Sequence, residues 1–470
     1  MAEKNRVRVL MFPWLAVGHI SPFFELAKKL ADRGFSIHIC STPINLSFVK
    51  NKIPDQYSSS IKLIDLHLPE SPDLPPHYHT TNGLPLHLNF TLQKSLKMAK
   101  PTFSTIMESL KPHLLIYDIL MMWAAGVAES HNVPAVRFLT SGAAVCTYFC
   151  HMVLRPNAEY PFPELYLRRY EQERAQKLMD ERKSGRKYDG GAGEDHGGDG
   201  ENDGDGAGEN DGGGAEEDGG MSNDMVVISS STEIEGKYVD YLGELLCCKI
   251  LALGTLVKQP MMKGENECSE LMGWLGEKEE RSTVFASFGS EYFLSKEDME
   301  EVAYGLEQSQ ANFIWVVRFP KGNENSNLEE ALPKGFLERI EGRGRIVEGW
   351  APQEQILSHR NTGGFMSHCG WNSLVESIEY GVPIIAMPMH LDQPVNAKLM
   401  VGIGVGVEVV RDEGGKLHRE DVCRVVKDVI KGKVGENVRK NVKIVGENVR
   451  LKSIQEMDEA AVLLAQLCNV

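Results

Sequence analysis

Short apolar runs along the chain alternate with stretches whose apolar residues recur at helical spacing. Val7–Phe12 is a nearly unbroken apolar run, as expected of a strand buried on both faces. Ser21 can cap a following helix, Pro22 suits its first turn and Gly34 ends it. Ser36–Cys40 reads as the next strand, and His113–Tyr117 as another that closes on Asp118. Met225–Ser229 is a further short strand. A second alternating region begins near Ser282, with strands at Thr283–Phe288, Phe313–Val317, Arg345–Val347, Gly364–Met366 and Pro383–Met387. Ser295 and Asp298 form a capping-box pattern ahead of Met299, Val302, Ala303 and Leu306 at helical spacing. Val422, Val425, Val426 and Val429 mark a late amphipathic helix. This alternation predicts an α/β protein with two doubly wound, Rossmann-like domains, and ligands bound in the cleft between them.

The chain has 470 residues, too many for one ordinary core. Its sharpest compositional break is residues 189–220, almost wholly Gly, Asp, Glu and Asn, with one His and with Ala as the largest apolar side chain. Such a stretch cannot offset its ordering entropy and is expected to be a disordered insert. Its calcium-like fragments are incomplete: Gly197 stands where a nonapeptide repeat needs an apolar residue, and Asp199–Gly212 lacks a closing Glu. The twelve acids of this stretch account for all but −4 of the net charge of −16. No basic field therefore points to nucleic acid. The nine cysteines show no metal-ligand spacing, and the N-terminus reads neither as a secretory leader nor as a span. A reduced, cytoplasmic protein without membrane insertion is expected, and a monomer.

Chemistry concentrates in Trp350–Gln393. At its centre, Gly363–Ser373, a strand ends at Ser367, a glycine turn follows and a helix starts near Asn372. The free N–H groups and dipole of that start suit a diphosphate, and His368, Asn372 and Ser373 add side-chain donors. Alone, this centre reads equally well as a capped helix beside a core histidine. Ser287-Phe288-Gly289-Ser290 is a second strand-to-helix turn, either a phosphate nest or a simple turn. His19 stands after the first strand, where a helix N-terminus disfavours imidazolium. Asp118 ends another strand of the same sheet, and strand C-terminal ends converge on one crevice. An Asp there can take the second ring N–H and fix the tautomer.

All 44 residues from Trp350 to Gln393 resemble, without gaps, the signature box of plant family-1 UDP-glycosyltransferases. The resemblance implies a GT-B fold. An N-terminal acceptor domain would span 1–250, a linker 251–280 and a donor domain 281–452, and a C-terminal helix over 453–470 would pack back on the first domain. It implies that Trp350 stacks on uracil, that the Ala351 backbone bonds its edge, and that Gln353 and Glu376 hold the ribose. His368, Asn372, Ser373 and Ser290 would hold the diphosphate, and Trp371, Asp392 and Gln393 the sugar. In that family Gln at the last position goes with glucose and His with galactose. His19 and Asp118 become base and orienter of an inverting transfer, with a UDP-sugar as co-substrate and neither cofactor nor metal. Leu10–Trp14, Pro75–Asn82 and Ser287–Phe293 resemble the branch that adds a sugar to a sugar of a natural-product glycoside. Trp14, Met121, Met122, Trp123, Tyr148 and Phe149 either line an apolar acceptor pocket or pack a core. Three functions stay open: glucosyl transfer to a glycoside; the same chemistry on an aglycone or with UDP-xylose, UDP-rhamnose or UDP-galactose; and UDP-sugar binding without turnover.

Overall fold

The computed structural model describes residues 6–184, 225–257, 269–289, 293–319 and 328–468. Ser290, the 189–220 stretch and part of the expected linker lie outside them.

Two all-parallel sheets carry the fold. Strands β1 (Arg8–Phe12), β2 (Ser36–Ser41), β3 (Ile61–Asp65), β4 (Leu114–Asp118), β5 (Ala135–Leu139), β6 (Met225–Ile228) and β7 (Lys249–Ala252) form the first, in the order β3-β2-β1-β4-β5-β6-β7. Strands β8 (Thr283–Ser287), β9 (Asn312–Val317), β10 (Gly344–Glu348), β11 (Thr362–Ser367), β12 (Ile384–Ala386) and β13 (Gly406–Glu408) form the second, in the order β10-β9-β8-β11-β12-β13. Central strands such as β1, β4, β8 and β11 are buried almost throughout, because helices cover both faces. In each sheet the strand order reverses once, between β1 and β4 and between β8 and β11. A parallel sheet opens a crevice at such a point. Register pairs Phe12 with Tyr117 in the first sheet and Ser367 with Ser287 in the second. The loops leaving β1 and β4, and those leaving β8 and β11, are therefore neighbours.

Eight helices bear on the site: α1 (Val17–Ala31), α2 (Ala143–Leu154), α3 (Arg169–Ser184), α4 (Thr232–Leu246), α5 (Trp371–Glu379), α6 (Gln393–Gly402), α7 (Arg419–Lys431) and α8 (Lys433–Leu467). Helix α1 corrects the sequence reading. It begins at Val17 after an extended Ala16, so Ser21 is not its cap and Pro22 lies in its interior. His19 thus belongs to the first helical turn rather than to the loop before it. Helix α8 also differs from expectation, being one continuous element that starts at Lys433 rather than 453. Gly446 lets it close on the Ile378 carbonyl, which a β-carbon there would meet at 2.5 Å. Farther on, Met457, Ala460, Ala461 and Leu464 join the core of the first sheet with Val9, Met11 and Ile37. The helix therefore straps the second domain to the first.

The seam between the domains is apolar and continuous. Leu139, Ala143 and Val226 share one buried cluster with Cys369, Trp371 and Leu374. At its edge Arg168 grips Glu408 of β13 with two bonds of 2.5 and 2.8 Å, and Glu171 bonds both Arg168 and Lys398. A bidentate, half-buried pair of this kind fixes geometry more firmly than a surface ion pair does.

Candidate active site

His19 and Asp118 meet at the reversal point of the first sheet. His19 Nδ1 lies 2.8 Å from Asp118 Oδ2. A carboxylate only accepts, so Nδ1 carries the proton and Nε2 holds the lone pair. Asp118 is fully buried, and its other oxygen accepts the Leu120 amide at 3.0 Å. The residue is thus clamped from both sides, while the imidazole keeps about a quarter of its surface open. Thr140, just past β5, places Oγ1 3.2 Å from the same Nδ1. Thr140 escaped the sequence reading because β5 did.

Directly after Asp118, Ile119, Leu120 and Met122 remain exposed. Of the residues considered for an apolar pocket, Trp14, Met121 and Tyr148 are core instead, each less than a tenth exposed. Trp123 packs edge-on against Phe12 and Phe103.

The donor-type residues gather at the reversal point of the second sheet. Cys369 turns the chain with φ of 70°, unusual for a residue other than glycine, and its amide bonds Ser367 Oγ at 3.1 Å. Gly370 then stands at the cap position of α5 and brings no side-chain cap. The first-turn amides of Trp371, Asn372 and Ser373 are left to an anionic ligand. Gln353 Nε2 reaches Glu376 Oε2 at 2.6 Å and Ser373 Oγ at 3.3 Å, which brings the two residues expected at the ribose beside the start of α5. Trp350 is two-thirds exposed, unlike any other tryptophan of the described residues, and Ala351 next to it is buried. Gln393 Oε1 takes the amides of Met389 and His390, so the sugar contact that the resemblance implies would fall to its NH2. Asp392 Oδ2 accepts Asn396 Nδ2 at 3.0 Å, and the same nitrogen holds the Cys369 carbonyl. Asn396, unseen in the sequence reading, thereby links Asp392, expected at the sugar, to the turn at Cys369.

His368 is held to a pKa of about 4, first by burial and then by His390, although the Ser287 carbonyl pulls the other way. Its Nδ1 has no partner among the described residues, so Ser287 is served by Nε2. In that tautomer Nδ1 is an acceptor, and the ring turns an N–H to a phosphate only after a proton moves. Nε2 is wedged between Gly289 and Gly370, where added β-carbons would meet it at 2.7 and 2.5 Å. Gly289 also has φ of 80°. Gly289→Ala is therefore expected to displace His368 and, by moving a polar group of the expected donor site, to weaken UDP by about 10-fold. Calorimetric titration with UDP checks this, and unchanged affinity would show that His368 does not face the donor.

Two contacts carry α5 across the cleft. Trp371 is buried, and its indole N–H donates to the Ser229 carbonyl at 2.6 Å. That donor is committed to the first domain, so the Trp371 side chain has no N–H to offer the sugar that the resemblance gave it. Asn372 Nδ2 donates to the Gly18 carbonyl at 2.9 Å. Beneath Trp371, Gly142 leaves room that a β-carbon would fill, with Glu235 Oε1 and the indole both 2.8 Å away. Glu235, fully buried, takes the amides of Ala143 and Ala144 at 3.0 and 2.8 Å and the Ser230 hydroxyl. It thereby caps α2 from another helix. Burial pushes its carboxyl up to about 7 against those donors.

Comparison with known proteins follows the same division. Residues 262–460 match the family "UDP-glucoronosyl and UDP-glucosyl transferase", and residues 5–187 match "Glycosyltransferase, N-terminal domain". The chain is 54% identical to a beta-D-glucosyl crocetin beta-1,6-glucosyltransferase of Gardenia jasminoides, over 97% of this chain and 98% of that one. It is 46% identical to a mogroside IIIx synthase of Siraitia grosvenorii, over 100% of this chain and 94% of the relative. The fold matches the crystal structure of Glycyrrhiza uralensis UGT73P12 complexed with glycyrrhetinic acid 3-O-monoglucuronide. The TM-score is 0.77 at 21% identity, covering 98% of this chain and 96% of that one.

Proposed function

The chain belongs to the plant UDP-glycosyltransferase family, and from that premise we propose that it transfers glucose from UDP-glucose to a sugar hydroxyl of a small-molecule glycoside. The observation that carries the reading is the His19–Asp118 pair of 2.8 Å at one crevice, opposite the uncapped start of α5 at the other. An acceptor hydroxyl bonds His19 Nε2, which takes its proton as the oxygen attacks the anomeric carbon. Asp118 holds the tautomer and steadies the imidazolium that forms. UDP departs on the far side, its charge met by the amides and dipole of α5. A single displacement turns the α-linked donor into a β-glycoside. The charge on UDP is thus met without a cofactor or metal, so turnover should persist in a chelator. Among the described residues no helix is long and apolar enough to cross a membrane, which fits a cytoplasmic enzyme. The Gardenia relative's name, a glucosyltransferase of a glucosyl crocetin, supports a glycoside acceptor, as does the mogroside synthase.

The test is UDP release with UDP-glucose, on a glycoside and on its aglycone. Transfer to the glycoside with a new β-linkage is expected. Transfer confined to the aglycone would replace the acceptor reading, and UDP binding without turnover would replace catalysis by binding alone. Donor choice is checked at Gln393, whose NH2 is the part left for the sugar. Gln393→His should shift the ratio of kcat/KM between UDP-glucose and UDP-galactose more than it shifts UDP affinity. An unchanged ratio would place residue 393 away from the sugar.

A further inference from the structure

Pro22 sits in the interior of α1, where proline is the least favourable residue. It is also buried, so it is no surface ornament. A helix pairs each amide with the carbonyl four residues back, which for residue 22 is Gly18. Proline has no amide hydrogen, and its ring crowds that carbonyl off the helical axis. The Gly18 carbonyl is the one that accepts Asn372 Nδ2 from the other domain, at 2.9 Å. Gly18 has no side chain, and nothing lies within 4 Å of where one would start, so the approach is open. Asn372 keeps its backbone amide, on the first turn of α5, for the diphosphate, and its side-chain NH2 has a second hydrogen to spare.

Resting on the glycosyl-transfer reading, we propose that Pro22 is a positioning residue. By denying Gly18 its helical partner it reserves that carbonyl for Asn372, and so ties the helix that carries His19 to the helix that holds the donor. His19 is the next residue after Gly18, with its amide on Ala16 at 3.0 Å. In the open cleft the Asn372–Gly18 bond faces water and is weak. A diphosphate on α5 excludes that water and strengthens it. Donor binding thereby sets the distance between His19 and the anomeric carbon, where small errors cost rate steeply.

Pro22→Ala supplies an amide on the axis and draws the Gly18 carbonyl back from Asn372. Loss of one such bond should lower kcat/KM for transfer by about 3- to 10-fold. UDP affinity should fall by no more than that factor, because a bond that the diphosphate strengthens must strengthen diphosphate binding in return, and the melting temperature should not fall, because Ala is the better helix former. A residue of purely structural use would lose activity and melting temperature together. In an Asn372→Ala background, Pro22→Ala should cost nothing further. Full activity in Pro22→Ala, or losses that multiply in the double variant, would overturn the proposal. Hydrogen exchange gives a readout independent of turnover: UDP should slow exchange over residues 17–21 in the unaltered protein and not in Asn372→Ala. Equal protection in both would also overturn it. Tight UDP binding with no transfer in the unaltered protein would instead sink the glycosyl-transfer reading.

Discussion

His19→Ala will lower turnover by about 100- to 10,000-fold, the usual worth of a general base, and will leave UDP affinity nearly unchanged. In the proposed mechanism the imidazole accepts the proton through Nε2, because Nδ1 is committed to Asp118 at 2.8 Å. Removing it leaves the attacking hydroxyl to lose its proton to water. The scaffold should not notice. Alanine favours the helix that His19 occupies, and the cross-domain bond at the neighbouring position uses the Gly18 carbonyl rather than a side chain. The donor residues around Trp350, Gln353 and Glu376 lie in the other domain and keep their contacts. Steady-state kinetics with saturating UDP-glucose, paired with a UDP titration, separates the two effects. Turnover within a few-fold of the unaltered enzyme would remove His19 from the chemistry, since no milder role fits a base at this position.

The sequence made the site legible where chemistry is carried by contiguous residues or by strand ends. Buried parallel strands read as plain apolar runs, so β1, β4, β8 and β11 were visible, and with them the places where His19, Asp118 and the phosphate turn emerge. The strands that went unseen lacked that signal. Strand β5 is interrupted by Arg137, β3 is broken by Lys62 and ends on Asp65, and β7 and β13 are only four and three residues long. Thr140 was lost with β5. The start of α1 was misread because Ser21-Pro22 imitates a cap and a first turn. The chain instead begins the helix five residues earlier and tolerates a proline inside it, a local rule broken where two domains meet. Glu235 was hidden differently. Ser229–Glu235 is polar enough to pass for a surface cap, yet Ser229, Ser230, Ser231 and Glu235 are all buried. Only the packing of α2, α4 and Trp371 against one another turns that polar stretch inward, and nothing in its own residues announces the partner.

Asp118→Asn tests the other half of the proposed catalytic pair and should cost turnover on the same scale, about 100- to 10,000-fold, by a different route. Asparagine is nearly the same shape. Its amide oxygen can keep the Leu120 amide, which Asp118 Oδ1 now holds at 3.0 Å, so the turn after β4 should survive. The NH2 then faces His19 Nδ1. A donor there favours the tautomer with its proton on Nε2, the atom that has to receive the proton of the acceptor hydroxyl. The base is present but turned the wrong way round, and the imidazolium that forms during attack has lost its counter-charge. Residue 118 is fully buried, so water cannot make up for that charge. Because both residues serve one proton transfer, their losses should not multiply. The His19→Ala, Asp118→Asn double variant should be about as slow as His19→Ala alone. The measurement is kcat for the two single variants and the double variant, with the melting temperature of each. Losses that multiply, at unchanged melting temperature, would mean that Asp118 acts on the reaction by a path that does not run through His19.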